Sequence, residues 1–205
     1  IVEPQLAAVI ITTNLLAEAL GAIVLGYLGD RWGRKSALIL INTLQVASTV
    51  PLFFLYTDWL AVWVLTSVLT FSVGGDFGAS YAALAELTPA RHRGKAILLS
   101  TNFWNVGSAV IAGAALVYAA VYSDPLLQTQ YILLTALATL GLVVFLRFSV
   151  PESPRWLYHR GRAEEAERII LKVAKAAGYG SVESGHAAPP RKVGGSLFRF
   201  SILAT

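Results

Sequence analysis

Long apolar runs alternate with short charged clusters along this chain. Apolar residues fill about 6–28, then a cluster follows at Gly29-Asp30-Arg31-Trp32-Gly33-Arg34-Lys35. Further apolar runs cover about 36–56, 59–87, 96–122 and 131–148. Each is near or above the roughly 20 residues that cross a hydrocarbon core, and none shows the one-sided periodicity of a soluble helix. The pattern predicts five membrane-spanning helices, with Pro51 as a kink near the far end of the second. Thr57-Asp58 is a very short turn, and Ser123-Asp124-Pro125 opens a polar one. After 148 the composition changes. Residues 150–195 read as a linker holding a short amphipathic helix at 163–177, with Ala166, Ile169, Ile170, Val173 and Ala177 on one face. Residues 196–205 turn apolar again, as the start of a further element.

Charge sharpens this reading. Consecutive spans alternate in direction, so the side of every loop follows from the span count. On that count all 16 Lys and Arg fall on one side, Arg147 being assigned there as the boundary of the fifth span. The opposite side carries Glu3, Asp58 and Asp124 and no basic residue. The positive-inside rule makes the basic loops cytoplasmic in a multi-pass protein of the cell membrane. The same asymmetry accounts for the net charge of +4, so no nucleic-acid partner is expected. Only 14% of the 205 residues are charged and 56% are hydrophobic, against about a quarter charged in a soluble domain. There is no Cys, and the three His residues are scattered, so neither a metal site nor a cofactor is expected. There is no Met, even at position 1, which leads us to expect a piece of a longer protein.

Three charged motifs mark the basic side. They are Gly26-Tyr27-Leu28-Gly29-Asp30-Arg31-Trp32-Gly33-Arg34-Lys35, then Glu86-Leu87-Thr88-Pro89 with Arg93-Gly94, then Pro151-Glu152-Ser153-Pro154-Arg155-Trp156-Leu157. In order and spacing they resemble signature motifs of the major facilitator superfamily, in its sugar-porter-like branch. The resemblance covers about residues 6–160. It implies an all-α membrane fold in which the five spans are helices two to six of twelve, followed by a helical linker. It also implies that Asp30, Arg34, Glu86, Arg93, Glu152 and Arg155 form a cytoplasmic gate that rearranges during transport. The alternative reading is that these charges only orient the chain and cap its helices.

Polar groups inside the spans are the candidate chemistry. A charge at the bilayer centre costs roughly 2.5–3.5 kcal/mol on insertion scales, so it faces a cavity or a partner. Glu18 lies in the first span with Asn14 one turn before it, and Asp76 directly succeeds Gly74-Gly75 in the third. Both carboxylates are candidates for proton coupling or substrate contact; the alternative is a protonated acid hydrogen-bonded between helices. The Gly-Gly-Asp stretch resembles one in phosphate-transporting relatives, but Phe77-Gly78-Ala79 differs from the residues found next in those proteins. Thr101, Asn102, Trp104, Asn105 and Ser108 place a polar stripe with an aromatic on the fourth span. Thr101 stands where sugar porters carry a sugar-binding Gln, a departure that weakens a hexose assignment. Asn42 and Gln45 in the second span read as packing contacts. No catalytic constellation is present, so an enzyme is not expected. The expected function is secondary active transport of a small polar solute, a sugar or organic acid, coupled to protons. Alternatives are an uncoupled facilitator of the same fold and a membrane receptor that binds without transport.

Overall fold

A computed structural model describes residues 4–89 and 91–176. Seven helices follow one another: α1 (Pro4–Trp32), α2 (Arg34–Leu55), α3 (Trp59–Leu87), α4 (Arg93–Val121), α5 (Pro125–Phe148), α6 (Pro154–His159) and α7 (Ala163–Ala176). The first five hold 22 to 29 residues and are apolar enough to cross a membrane. At about 1.5 Å per residue, even α2 reaches about 33 Å.

Helix ends follow local chemistry that hydropathy does not register. α5 starts at Pro125 rather than at 131, because Asp124 accepts a hydrogen bond from the Leu126 amide (2.9 Å) and Pro125 needs no amide partner at the first position. Asp58 caps α3 in the same way through the Leu60 amide. α1 continues past 28 to Trp32, and α2 begins one residue after the Gly33 break and continues through Pro51. Gly33 carries φ +103°, a left-handed conformation that glycine adopts without a steric cost. Ser153 caps α6, a short helix that hydropathy leaves unmarked, through the Trp156 amide. α7 ends at Ala176 among the described residues; the expected linker tail and the element at 196–205 lie outside them.

α3 is the hub of the bundle, packing on α1, α2 and α4, while α2 and α4 both meet α5. The α1–α3 crossing is very close. A Cβ on Gly74 would lie 1.9 Å from the Glu18 carbonyl oxygen, and one on Gly21 would lie 1.8 Å from that of Phe71. Without a hydrophobic drive between helices in lipid, such small-residue contact and interhelical hydrogen bonds supply the association. Both occur here. The Asn14 amide donates to Thr66 Oγ1 (3.1 Å) and its oxygen accepts from Ser67 (2.8 Å), while the Trp63 indole donates to Thr13 (2.7 Å). Further toward the basic end, Leu25, Leu38, Ile41 and Ala79 form the buried apolar core, against which Val150 also packs. α4 and α5 bury no residue fully, and Leu98, Phe103, Leu116 and Phe145 stand exposed on them. Such surface suits acyl chains rather than water.

Candidate functional site

The contact with Val150 shows that the chain after α5 enters the bundle at the level of Leu38 and Ala79. In the last turn of α5, Phe145, Leu146 and Phe148 stand exposed, and the residue turned inward is Arg147. Its side chain does not extend outward to polar surroundings, as a cation near a helix end usually does. It turns toward α3 and grips Asp76, with Nη2 at 2.5 Å from Oδ1 and 2.7 Å from Oδ2. Nη1 donates to Asn42 Oδ1 at 2.7 Å. Asp76 also accepts from Ser80 Oγ (2.7 Å) and, more weakly, from Gln45 Nε2 (3.4 Å). Asn42 and Gln45, on α2, are 5% and 7% exposed. An isolated charge here would be costly, and the pair is tolerable because its geometry is close and neutral hydrogen bonds with Asn42, Ser80 and Gln45 support it.

A cavity of about 250 Å³ opens beside this pair. Asp76, Arg147 and Gln45 form its polar part; Phe77, Tyr81 and Trp104 form its aromatic wall. The Phe77 and Trp104 ring centroids are 4.9 Å apart, and those of Phe77 and Tyr81 5.9 Å. The Tyr81 hydroxyl lies 3.3 Å from Thr101 Oγ1, which ties the wall across to α4.

The sequence candidates thus separate. Asp76 and Trp104 line the cavity, and Thr101 supports its wall. Asn102 and Asn105 are exposed on α4, away from the cavity lining. Asn14 is held in the α1–α3 contact, and Glu18 is half-buried without a side-chain hydrogen bond among the described residues. The sequence reading missed Arg147, assigning it to the loop side as an orientation signal. It also read Asn42 and Gln45 as packing contacts, whereas they complete the charge network. One signal was available: Phe148-Ser149-Val150 continues beyond Arg147 without another charge, so the arginine interrupts an apolar run rather than ending it.

A second cluster gathers at the basic end. Arg34 Nη2 lies 2.7 Å from Asp30 Oδ1, one turn away across the Gly33 break. The same guanidinium reaches Glu86 on α3 through Nε (3.4 Å) and Nη2 (3.3 Å). Glu152 has another task. Gly33 offers α2 no capping side chain, and Glu152 Oε1 accepts from the Lys35 amide (3.1 Å) and from the Ser153 amide (2.9 Å). An anion at a helix N-terminus is favourable because the amides and the helix dipole both point toward it. Cations serve the opposite ends: Arg160 Nη2 donates to the Arg31 carbonyl at the end of α1 (2.6 Å), and Lys35 Nζ to the Phe148 carbonyl at the end of α5 (3.4 Å). Arg93 and Arg155 line a cavity of about 570 Å³ together with Glu86 and His159. Outside the spans, the Arg162 hydrogen bond holds the Glu165 carboxyl below the usual carboxylate range. Among the described residues no cluster of His, Asp and Glu has the make-up of a metal site.

Comparison with known proteins agrees with this architecture. Residues 4–183 match the family model described as sugar (and other) transporter. The inner membrane metabolite transport protein YgcS of Escherichia coli is 32% identical over 169 residues, covering 82% of this chain and 37% of that protein. The niacin transporter NiaP of Acinetobacter baylyi is 29% identical, covering 85% of this chain and 38% of its own length. Among solved structures, the E. coli xylose transporter XylE in a partially occluded inward-open conformation aligns with a TM-score of 0.73 at 25% identity, over 82% of this chain and 43% of that one. The proton:xylose symporter XylE bound to 6-bromo-6-deoxy-D-glucose aligns with a TM-score of 0.71 at 24% identity, over 84% and 42%. The chain therefore spans less than half the length of these relatives. With five membrane-length helices, the signature motifs at their ends and a match along most of its length, it belongs to the sugar (and other) transporter family of the major facilitator superfamily.

Proposed function

We propose that this chain forms part of a proton-coupled secondary transporter for a small polar solute, set in the cell membrane with its basic end in the cytoplasm. The observation that carries this reading is the Asp76–Arg147 pair bordering an aromatic-walled cavity inside the bundle. A titratable carboxylate beside a solute-sized cavity is the arrangement that lets proton binding bias solute binding. In transporters built from repeats the substrate sits near the midplane between halves, so this cavity supplies one wall of the site. The names of the relatives support a small solute: niacin for NiaP, inositol for inositol transporter 4 of Arabidopsis thaliana, and xylose with a proton for XylE.

In this reading the basic-end cluster is the gate. Arg34 with Asp30 and Glu86 joins α1, α2 and α3, and Glu152 fastens the segment after α5 to α2. Arg93 and Arg155 stand at the cavity beside them, where they exchange partners as the ends of the bundle separate. The test is uptake into proteoliposomes carrying the full-length protein, with xylose, inositol and nicotinate as probes and an inward proton gradient. Accumulation should collapse with an uncoupler, and Asp76→Asn should lose at least tenfold of the gradient-driven component. Uptake that merely equilibrates, unchanged by uncoupler or by Asp76→Asn, would identify an uncoupled facilitator instead.

A further inference from the structure

We infer that the solute is a small organic anion with an apolar or aromatic body, and that its carboxylate replaces Asp76 on Arg147 when Asp76 takes up a proton. The inference rests on the proton-coupled reading above and names its substrate class. Among the described residues Arg147 has one anionic partner, Asp76; its other hydrogen-bond partners, Asn42 and Ser80, are neutral. The remaining titratable groups near Asp76 are few. Tyr81 on α3 lines the same cavity, and Glu18 on α1 lies beside Gly74 without a bond to the network. The cavity lining draws only Ser100 and Trp104 from α4, and neither carries a charge. No second carboxylate among the described residues therefore stands ready to hold the guanidinium.

Protonation of Asp76 consequently leaves a largely enclosed guanidinium, 16% exposed, without a counter-charge. That state is strongly disfavoured, because desolvation is no longer offset by a nearby anion. A neutral sugar entering the cavity cannot offset it, whereas a carboxylate can, at the Nη2 group through which Arg147 already holds both oxygens of Asp76. The neutral Asp76 acid keeps its contacts with Ser80 and Gln45. One proton and one monoanion then occupy the site together, and their sum is neutral. The rest of the cavity specifies the body of the solute. Phe77, Tyr81 and Trp104 line the same cavity as Arg147, and the Phe77 and Trp104 rings pack together there, so this wall suits an apolar or aromatic body.

The test uses equilibrium binding to the purified full-length protein in detergent, where no gradient exists, with labelled nicotinate and its neutral isostere nicotinamide as probes. Nicotinate should bind about tenfold more tightly at pH 5.5 than at pH 7.5, with nicotinamide weak and insensitive to pH. Asp76→Asn should bind nicotinate at pH 7.5 at least as tightly as the wild type does at pH 5.5, and without pH dependence. Arg147→Gln, built alone and together with Asp76→Asn so that no lone charge remains, should lose nicotinate binding tenfold or more in both forms. Equal affinity for the two probes, no measurable affinity for either, or weaker nicotinate binding in a folded Asp76→Asn protein would overturn the inference. If the Asp76→Asn protein does not fold, the wild-type pH dependence decides it alone. Charge-selective binding without gradient-driven accumulation would sink the coupling proposal instead, and coupled uptake with charge-indifferent binding would sink this inference alone.

Discussion

α3 carries two carboxylates, and each meets an arginine from another helix. At the basic end Glu86 receives Arg34; inside the bundle Asp76 receives Arg147. All four side chains are similarly enclosed, between 14% and 22% exposed. Their surroundings differ. Arg34 has a second acid, Asp30, which is largely solvent-exposed. Among the described residues, Arg147 has only neutral amides and a hydroxyl around its single acid. The first cluster can lose one carboxylate and still neutralise its cation. The second cannot. Redundant charge makes a brace that tolerates perturbation, whereas a strict one-to-one pair makes a device that responds to a single proton.

The sharpest way to break this comparison is to remove one partner of the inner pair. Arg147→Leu should lower the stability of the full-length protein by about 3 kcal/mol in detergent unfolding, the low end for a stranded buried charge because the pair is partly open. Adding Asp76→Asn should recover more than half of that loss, and simple additivity of the two changes would show that the pair is not coupled. Next in size is the crossing that positions α3 for both clusters. Gly74→Ala forces a Cβ onto the Glu18 carbonyl and should cost about 2–3 kcal/mol, while Gly107→Ala on α4, with open space around it, should be neutral or slightly stabilising. At the basic end Arg34→Gln should cost about 1–2 kcal/mol, and Glu86→Gln less than about 1 kcal/mol because Asp30 remains; thermal unfolding of the two variants gives the order. An effect of Glu86→Gln as large as that of Arg147→Leu would erase the proposed difference. The smallest effect belongs to α7. The folded Glu165 carboxyl is held below its unfolded value by Arg162, so its contribution is present above the unfolded pKa and disappears as pH falls through the folded one. Circular dichroism should show α7 helicity unchanged between pH 5 and 8 and weakened only below about pH 4.

The spans were legible because the membrane imposes one rule on every residue in them: about 20 apolar side chains in sequence, with cations kept outside. The motif loops were legible because their charges are local, as Asp30 and Arg34 show by pairing one turn apart. Asp76 was legible because a carboxylate in an apolar run is conspicuous. Its partner was not. Arg147 stands near the end of a span, where a cation satisfies the orientation rule whichever way its side chain turns. Glu152 had a comparable ambiguity, since an acid in a charged motif suggests an arginine partner until the bare amides after Gly33 are seen beneath it.

The sequence by itself thus determined how many times the described chain can cross a bilayer, which ends carry positive charge and where an unusual acid lies. Each of these depends on composition and neighbours along the chain. Only the tertiary structure decided that the Arg147 side chain turns into the bundle, so that it meets Asp76 rather than water, and that α1 and α3 approach closely enough to exclude a Cβ. The physical reason is that a side chain's partner depends on the depth and tilt at which helices cross, and hydropathy carries no information about either.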